Sequence, residues 1–525
     1  MNKHRCIPPL QLNVGSFLAP FSCFECVETL YSGNPAIHRC FSLARSCNAR
    51  SLIIETIAPT GLIAEENAEL LQLGFKHTPS TLLRLSFWKC SHRRAKDTGR
   101  LQVDDLLGFA ILKRDIVPGI SLGNDGWHVF EAVFRKYAHA HNCVPGQVDY
   151  QVRIGEGVFK LPGVLYCQQN GLNKACAHVA LRSLLSRLID TRDVSYTEMN
   201  RLAKTLVSGV FLPKEGLNVQ QIRKILQHFG VNFRDVDYGE AEKLDPAART
   251  NQPYQKYIYA GVESGYGGLL GFSMTGPQAP DTRHIIPFYG HTFNKDTWVP
   301  DAQASYFNIG GGMGYIPSES WTSSYIGHDD NFGPNFCIPR LYVKPEQAQY
   351  VVEIIKPGVQ YNGVVAEVQA LQFLYSLYPH MDGSNHWQVR LAENAHPSHQ
   401  RVVMRAMCVE RKRYLEHLKT VRDWEGRAED NILLDKLGTL LPKLLWVVEV
   451  SLPHLFPANE RKLGEIVLDA CRAPDTTLDV DFGLFVLARL PGQFVVSTGQ
   501  NGNAPSFETA PSGLQSHVPV LRSED

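Results

Sequence analysis

The clearest pattern of hydrophobic and polar positions lies in the middle of the chain. Apolar residues recur every three to four positions from Ala175 to Ile189, which predicts an amphipathic helix with one buried stripe. A second helix is predicted from Val219 to Phe229, because Asn218 can cap its first turn and Gly230 can end it. Two helices in succession therefore open the central region.

After the second helix, the pattern changes to short apolar runs separated by glycine-rich turns. Such runs are typical of strands. They cover Tyr257–Val262, Leu269–Met274, His284–Tyr289 and Thr297–Val299. Helices followed by a group of strands indicate a domain of the α+β class.

Helical and strand patterns are mixed on both sides of this central region. On the N-terminal side, the spacing predicts strands at Ser51–Ile57 and Leu107–Leu112, a helix at Trp127–His139, and two further strands within 151–166. On the C-terminal side, it predicts helices at Val364–Tyr378 and Glu410–Val421 and a strand at Leu444–Val450.

These patterns suggest how the chain is divided into domains. We expect a mixed α/β region over residues 1–150 and the α+β domain over residues 151–342. A second mixed region should follow over residues 343–500, and the Gly-, Pro- and Ser-containing segment 501–525 should form a flexible tail.

The composition excludes several classes of protein. The 525 residues suffice for about three domains. The 52 basic and 52 acidic residues cancel, which argues against nucleic acid or an anionic membrane as the partner. We find no run of 18 apolar residues and no secretory signal pattern. A cytoplasmic location is therefore expected, where the 12 cysteines would be mostly reduced thiols.

Cys176 is the residue whose setting is most informative about chemistry. It stands at the predicted start of the first central helix, behind a loop rich in amide side chains, YCQQNGLNKA. The N-terminus of a helix carries partial positive charge and unpaired N–H groups. Both favour a thiolate and can bind a developing oxyanion. The alternative is a small buried cysteine in the core of an amphipathic helix.

A histidine and an aspartate about a hundred residues later could complete a catalytic group. His284 opens an apolar strand, and the chain returns through a predicted hairpin to Asp301. Asp301 could accept a hydrogen bond from one ring nitrogen of His284 and leave the other nitrogen for the thiol. His291, in the hairpin turn, is the alternative base, but it is less well placed opposite Asp301.

This order of cysteine, histidine and aspartate resembles the papain-like cysteine peptidase superfamily. Within it, the segment looks most like the bacteriocin-leader-processing peptidases and, at CAHVALRSLL, like the Josephin-type deubiquitinases. The resemblance covers residues 163–302. It implies a papain-like core, in which the helix that carries the cysteine packs on an antiparallel sheet that carries the histidine and the aspartate.

The resemblance also implies a role for each site residue. Cys176 would be the nucleophile, His284 the general base, Asp301 the orienting residue and Gln169 the oxyanion helper. In the family, a glutamine usually stands six residues before the cysteine, a position held here by Asn170. Gln168, Gln169 and Asn170 therefore all remain candidates for binding the oxyanion.

Two further polar segments could carry chemistry. Residues 328–334, HDDNFGP, could be a turn held by its own side chains or a loop that borders the substrate cleft. Cys23 and Cys26 have the separation of a zinc knuckle, but the cysteines and the histidine within 38–47 lack a matching spacing. We therefore expect neither a metal nor a cofactor.

The expected function is cysteine-dependent hydrolysis of a peptide or isopeptide bond in a protein or peptide substrate. One alternative is transglutaminase-like acyl transfer, which uses the same three residues with an amine as acceptor. A second alternative is a catalytically inactive papain-like fold that serves as an interaction module. In each case, the regions outside 151–342 would select the partner.

Overall fold

A computed structural model describes most of the chain. The described residues are 5–16, 22–75, 78–91, 101–135, 142–189, 192–276, 279–292, 313–475, 480–501 and 504–523. The chain divides into two compact units: unit 1 comprises Met1–Gly230, Gly271–Tyr289 and Ile326–Ile338, and unit 2 comprises Val231–Leu270, Gly290–Tyr325 and Pro339–Asp525. This division does not follow the boundaries expected at residues 150, 342 and 500.

The strands are distributed along the whole chain. They are β1 Gln11–Ser16, β2 Ser51–Thr56, β3 Thr78–Trp88, β4 Leu106–Ile116, β5 Trp127–Phe134, β6 Asn142–Cys143, β7 Val148–Ile154, β8 Gly157–Gly163, β9 Asn232–Asp237, β10 Gly268–Gly276, β11 Ala279–Thr292, β12 Ile316–Pro317, β13 Ser324–Asp329, β14 Gly333–Pro339, β15 Ala348–Ile355, β16 Val403–Glu410, β17 Leu444–Ser451, β18 Arg461–Lys462, β19 Gly464–Asp469, β20 Phe485–Leu490, β21 Gln493–Asn501, β22 Ala504–Pro511 and β23 Val518–Pro519.

The helices lie between these strands. They are α1 Ser22–Leu30, α2 Pro35–Ser46, α3 Leu62–Gln72, α4 Cys176–Leu188, α5 Tyr196–Lys204, α6 Val219–His228, α7 Tyr238–Leu244, α8 Ala248–Asn251, α9 Tyr254–Glu263, α10 Gly363–Leu377, α11 His386–Ala395, α12 Arg411–Thr420, α13 Asn431–Leu440 and α14 Phe456–Asn459. Together they make a mixed α+β protein with antiparallel sheets, as the sequence predicts at the level of class.

Unit 1 contains an antiparallel sheet in the order β1-β2-β3-β4-β5. Helix α2 packs against β5, and apolar residues of both elements join the same buried cluster, including Ile37, Phe41 and Val129. In the same unit, β10, β11, β13 and β14 are neighbours in the order β14-β13-β11-β10. This second group of strands carries the histidine of the candidate site.

Unit 2 is built around an antiparallel sheet in which β16, β17, β19, β20, β21 and β22 follow one another. Helix α10 packs on it through a core that includes Leu371, Phe373 and Trp446. The predicted loose tail instead contributes β22, which pairs along its length with β21. Polar and small residues suit this edge strand because its partner supplies the backbone hydrogen bonds.

Two predicted elements have the wrong type of secondary structure. Trp127–His139 was expected to be helical, but Trp127–Phe134 is strand β5, which is buried on both faces. Tyr257–Val262 was expected to be a strand, but it lies within α9, whose ten residues are all buried. A segment surrounded by protein can carry apolar residues on any of its sides, so its hydrophobic pattern no longer reports the period of its backbone.

Several other predicted elements are confirmed. Helix α4 covers the first predicted central helix, and α6 covers the second. Asn218 accepts a hydrogen bond from the Gln221 N–H at 3.0 Å, and Gly230 follows the helix with φ of +67°. The predicted strand Thr297–Val299 lies outside the described residues. Within the described ranges, no helix combines the length and the apolar composition needed to cross a bilayer.

Candidate active site

Cys176 is the first residue of α4, in unit 1, and its side chain is half-buried. The residue before it, Ala175, is extended and has no polar side chain that could accept from the first turn. Helices usually satisfy these N–H groups with a capping side chain. The start of α4 therefore presents backbone donors beside the thiol, which is the arrangement expected for a nucleophile and its oxyanion site.

The loop before Cys176 is held by buried contacts with α3 that the sequence does not reveal. The Lys174 ammonium donates to Glu66 at 2.9 Å, and the Asn173 side chain donates to Glu69 at 2.5 Å. Lys174 also lies over the rings of Phe130 and Tyr196, at 4.8 and 4.7 Å from their centroids. These contacts fix the backbone immediately before the thiol.

His284, on β11, lies beside the thiol and two carboxylates of the same unit. The Cys176 side chain is among the neighbours that raise the pKa of the His284 ring. Its Nε2 is 3.3 Å from an Asp329 oxygen and 3.5 Å from an Asp330 oxygen. The Phe272 ring packs edge-on against it, with 5.6 Å between ring centroids. Because both acids approach Nε2, Nδ1 is the nitrogen left for the thiol.

These neighbours change the protonation of His284. Burial alone would lower its pKa, but hydrogen bonds with Asp329 and Cys176 and the charges of Asp330 and Asp329 outweigh that cost. The pKa of His284 is raised to about 10. At neutral pH the ring is therefore an imidazolium, which can stabilise a neighbouring thiolate and can later donate a proton.

Asp329 holds the position that the sequence assigned to Asp301. One of its oxygens faces His284, and the other accepts hydrogen bonds from the Asn331 and Phe332 N–H groups at 2.9 and 3.2 Å. Burial would raise the pKa of Asp329, but the bond and charge of His284 and these two N–H groups lower it. Asp301 itself lies outside the described residues.

The polar segment 328–334 contains the predicted turn held by its own side chain. Asp329 ends β13 and closes the turn to β14 through its own side chain, as in an Asx turn. The same side chain faces the candidate catalytic histidine. Asp329 was therefore within reach of sequence reasoning, because the unusual HDDN run had been singled out. Asp301 was expected instead because a predicted hairpin would return the chain beside His284.

Asp330, the next residue, has an unusual environment. Its side chain is only 3% exposed, and neither carboxyl oxygen has a hydrogen-bond partner among the described residues. Burial and the charge of Asp329 raise its pKa, against the opposing effect of His284, to about 7. A buried carboxylate without a hydrogen bond is costly, so natural proteins rarely keep one without a function.

The three candidates for the oxyanion amide have different environments. The Gln168 side chain is buried and accepts from the Val129 N–H at 2.9 Å and from Asn34 at 3.3 Å. The Asn170 side chain accepts from two N–H groups of its own loop and donates to Asn173 at 2.9 Å. Both are committed to the fold, which leaves Gln169 as the available amide.

Gln169 lies in the loop before Cys176, and its side chain reaches the turn that Asp329 closes. Its side chain is partly exposed, and its amide nitrogen donates to the Asn331 oxygen at 3.2 Å. Asn331 belongs to the turn that Asp329 closes. An amide in this position can turn towards a substrate at little cost because it leaves only one exposed hydrogen bond.

His291, the alternative base, belongs to unit 2 and is committed to a different interaction. It is buried, and its Nε2 bonds to Glu263 at 2.5 Å. Burial would raise the pKa of Glu263, but the charge of Arg405 and the bond with His291 lower it to about 2. His291 therefore contributes to a buried ionic network of unit 2.

In the cysteine cluster near the N-terminus, Cys40 and His38 have surroundings typical of a structural role. Cys40 is buried in the core of unit 1, and burial raises its pKa to about 12. His38 bonds to Glu28 at 2.7 Å. The Cys23 side chain lies outside the described part of the structure.

Comparison of the chain with protein-family models, with curated proteins and with solved structures gives no match. What the site can do is therefore inferred from the positions of Cys176, His284 and Asp329 and from their surroundings.

Proposed function

We propose that the protein is a cysteine-dependent hydrolase that cleaves a peptide or isopeptide bond in a protein or peptide substrate. The observation that carries the proposal is the grouping of Cys176 at the start of α4 with His284, whose pKa it raises, and Asp329, which hydrogen-bonds with His284. A nucleophile, a base and an orienting acid in hydrogen-bonding sequence form the arrangement that recurs in hydrolases of unrelated fold.

Each group has a defined task in this mechanism. The Cys176 sulfur attacks the carbonyl carbon, and the backbone N–H groups at the start of α4, with the Gln169 amide, stabilise the oxyanion. The His284 imidazolium donates its proton to the leaving amine as the tetrahedral intermediate collapses to the thioester. Water then attacks the thioester while the neutral ring accepts its proton, and collapse of this second intermediate releases the acid and restores the Cys176 thiolate beside the imidazolium.

A papain-like arrangement is part of the proposal. In unit 1, the cysteine begins helix α4, and the histidine and aspartate lie on the neighbouring strands β11 and β13. This order, with the acid moved from Asp301 to Asp329, supports the family resemblance seen in the sequence.

Alkylation of the thiol provides a test that needs no substrate. We expect iodoacetamide to label Cys176 at pH 6 at least about tenfold faster than Cys337 and Cys471, two exposed cysteines of the described structure. His284→Ala should remove this advantage and leave the rates at the two reference cysteines unchanged. Equal labelling of Cys176 in the wild type and in His284→Ala would overturn the proposal.

A matched pair of variants tests which acid orients the histidine. Asp329→Asn should slow the labelling of Cys176 at pH 6, because the imidazolium loses the partner that raises its pKa. Asp301→Asn should leave the rate unchanged. The opposite result would return the role to Asp301.

The type of reaction is separated by its products. The purified protein would be incubated with a peptide library and with ubiquitin-like conjugates, with and without an added primary amine, and the products analysed by mass spectrometry. Hydrolysis yields a free carboxylate, whereas acyl transfer yields the amide of the added amine. Rapid labelling of Cys176 with dominant amine incorporation would indicate the acyltransferase alternative.

A further inference from the structure

We propose that His284, Asp329 and Asp330 form a binding site for Zn²⁺, and that the bound ion inhibits the enzyme. The inhibitory part rests on the proposed function, whereas the binding of the ion does not. The three residues place one ring nitrogen and two carboxylate oxygens within 4.8 Å of one another. All three belong to unit 1.

The distances between the ligand atoms suit a tetrahedral ion. Zinc binds histidine nitrogen and carboxylate oxygen at about 2.0–2.2 Å, so two ligands of a tetrahedral site lie about 3.4 Å apart. The His284 Nε2 is 3.3 Å from the nearest Asp329 oxygen and 3.5 Å from the nearest Asp330 oxygen. An ion between these atoms would need little rearrangement, and water can fill its fourth position.

Asp330 provides an independent reason to expect a cation. Its side chain is 3% exposed, and neither of its oxygens has a hydrogen-bond partner within the described parts of the chain. The His284 Nε2 lies 3.5 Å from Asp330, but it is also 3.3 Å from Asp329. Two buried carboxylates therefore face one imidazole, and a divalent ion would balance their charge.

A second cluster in unit 1 shows the contrasting case. Glu66, Asp115 and His128 also place three possible ligands within 4.8 Å, and all three are buried. There, the Lys113 ammonium lies 2.7 Å from Glu66 and 3.0 Å from Asp115, and Lys174 lies 2.9 Å from Glu66. Fixed ammonium groups thus neutralise that cluster, whereas the described surroundings of Asp330 provide no lysine or arginine bonded to it.

Zinc bound at this site would block the catalytic role of His284. The ion would take the Nε2 lone pair and displace the proton shared with Asp329. The remaining proton would then stay on Nδ1, where the ring cannot accept a proton from the thiol. Zinc is favoured over Mg²⁺ and Ca²⁺ because those ions prefer oxygen ligands, and one of the three ligands here is an imidazole.

Binding would be measured by isothermal titration of the EDTA-treated full chain with ZnCl₂ at pH 7.5. We expect one Zn²⁺ per chain and at least about tenfold weaker binding by Asp330→Asn. Cys176→Ser should bind as the wild type does, because the thiol is not a ligand. Asp125→Asn, which removes an exposed carboxylate of unit 1, should also bind normally. Circular dichroism and thermal melting would establish that each variant is folded.

The titrations distinguish zinc binding at His284, Asp329 and Asp330 from binding elsewhere in the chain. Wild-type affinity in Asp330→Asn, or substoichiometric binding by the wild type, would overturn the proposal. Loss of binding in Cys176→Ser would place the ion on the thiol and would overturn it as well. If Asp330→Asn proves unfolded, Asp330→Ser provides the same loss of a carboxylate ligand with a smaller polar side chain.

Inhibition would be measured by the rate at which iodoacetamide labels Cys176 at pH 7.5. Saturating Zn²⁺ should slow labelling of the wild type at least about tenfold, EDTA should restore it, and Asp330→Asn should be insensitive to the ion. Mg²⁺ should have no effect. Zinc binding without a change in labelling would overturn the inhibitory role. Slow labelling of Cys176 without zinc would instead count against the proposed function, so the two failures are distinguishable.

Discussion

Glu465 in unit 2 and Asp330 in unit 1 are both buried carboxylates, but their surroundings differ. Glu465 receives two hydrogen bonds of 2.6 Å from Arg489, an ion pair of 2.8 Å with Lys462 and a hydrogen bond of 2.9 Å from Tyr414. Although burial would raise the pKa of Glu465, the charges and bonds of Arg489 and Lys462 lower it. Asp330 has no such partner among the described residues, and its pKa is raised.

The difference separates two uses of buried charge. In unit 2, Glu465 lies on β19 between β17 and β20, and its cationic partner Arg489 is directly opposite it in the sheet register. Such a pair holds its two strands in one arrangement and leaves neither charged group available for a reaction. At the candidate active site, by contrast, one imidazole serves two carboxylates and a thiol. Incomplete pairing, rather than buried charge itself, therefore separates Asp330 from Glu465.

The largest expected effect comes from breaking the complete pairing in unit 2. Arg489→Ala should lower the free energy of unfolding by about 3–5 kcal/mol, because it leaves Glu465 buried without its main cation. Urea denaturation at pH 7 would measure the loss. The double variant Arg489→Met/Glu465→Met should lose less than Arg489→Ala alone. A loss below about 1 kcal/mol for Arg489→Ala would contradict the structural role assigned to the pair.

The next effect distinguishes two neighbouring glutamines of unit 1. Gln169→Ala should reduce the turnover number by about 10²–10³, which is typical of a lost oxyanion donor, and should leave stability unchanged. Gln168→Ala should instead destabilise the protein by about 1–3 kcal/mol, because the buried Val129 N–H loses its acceptor. Activity assays and urea denaturation of both variants would check this. If both variants lost activity equally, the exposure of the two side chains would not identify Gln169 as the oxyanion donor.

Glu353 allows incompletely paired buried charge to be examined within unit 2. It is buried on β15, and one of its oxygens has no hydrogen-bond partner in the described structure. Burial raises its pKa to about 8. A raised carboxyl pKa means that the folded state binds the proton more tightly, so stability falls as the pH rises from about 4.5 to 8. Glu353→Gln should therefore stabilise the protein by about 1–3 kcal/mol at pH 9 and give no gain at pH 4.5. Equal urea midpoint shifts at both pH values would contradict this account.

The smallest expected effect is a gain in stability when the buried carboxylate of Asp330 is replaced. In EDTA, Asp330→Asn should raise the free energy of unfolding by about 1 kcal/mol, because a buried charge without a hydrogen bond is replaced by a neutral amide. Glu465→Gln, the matched removal of a fully paired carboxylate, should be destabilising. Thermal and urea denaturation would compare the two variants. A loss of stability in Asp330→Asn would show that its carboxylate is bound as firmly as that of Glu465.

The sequence could predict the elements whose faces differ in polarity. Helix α4 has an apolar stripe, and α6 has Asn218 and Gly230 at its ends, so local patterns located both helices. Strand β5 and helix α9 were assigned the wrong type because burial on all sides removes the alternation that distinguishes them. The pattern carries information only where one face meets water.

The candidate site was predictable to the extent that its residues had local signals. Cys176 was marked by the start of a helix and His284 by the start of an apolar run. Pairing between His284 and Asp329 depends on which strands become neighbours, and the sequence instead indicated a hairpin that would bring Asp301 beside His284. Lys174 and its buried acids could not be predicted, because Glu66 lies more than a hundred residues earlier in the chain.

The discontinuity of unit 1 has a consequence for its synthesis. The chain leaves this unit after Gly230 and completes it only at Ile338, which is 108 residues later. At about 5–20 residues per second, a ribosome needs roughly 5–20 s to make that segment. For most of this interval, Cys176 has been translated but Asp329 has not. A nascent chain therefore cannot complete the Cys176–His284–Asp329 group, and any activity that depends on it begins only when the last strand of unit 1 has emerged.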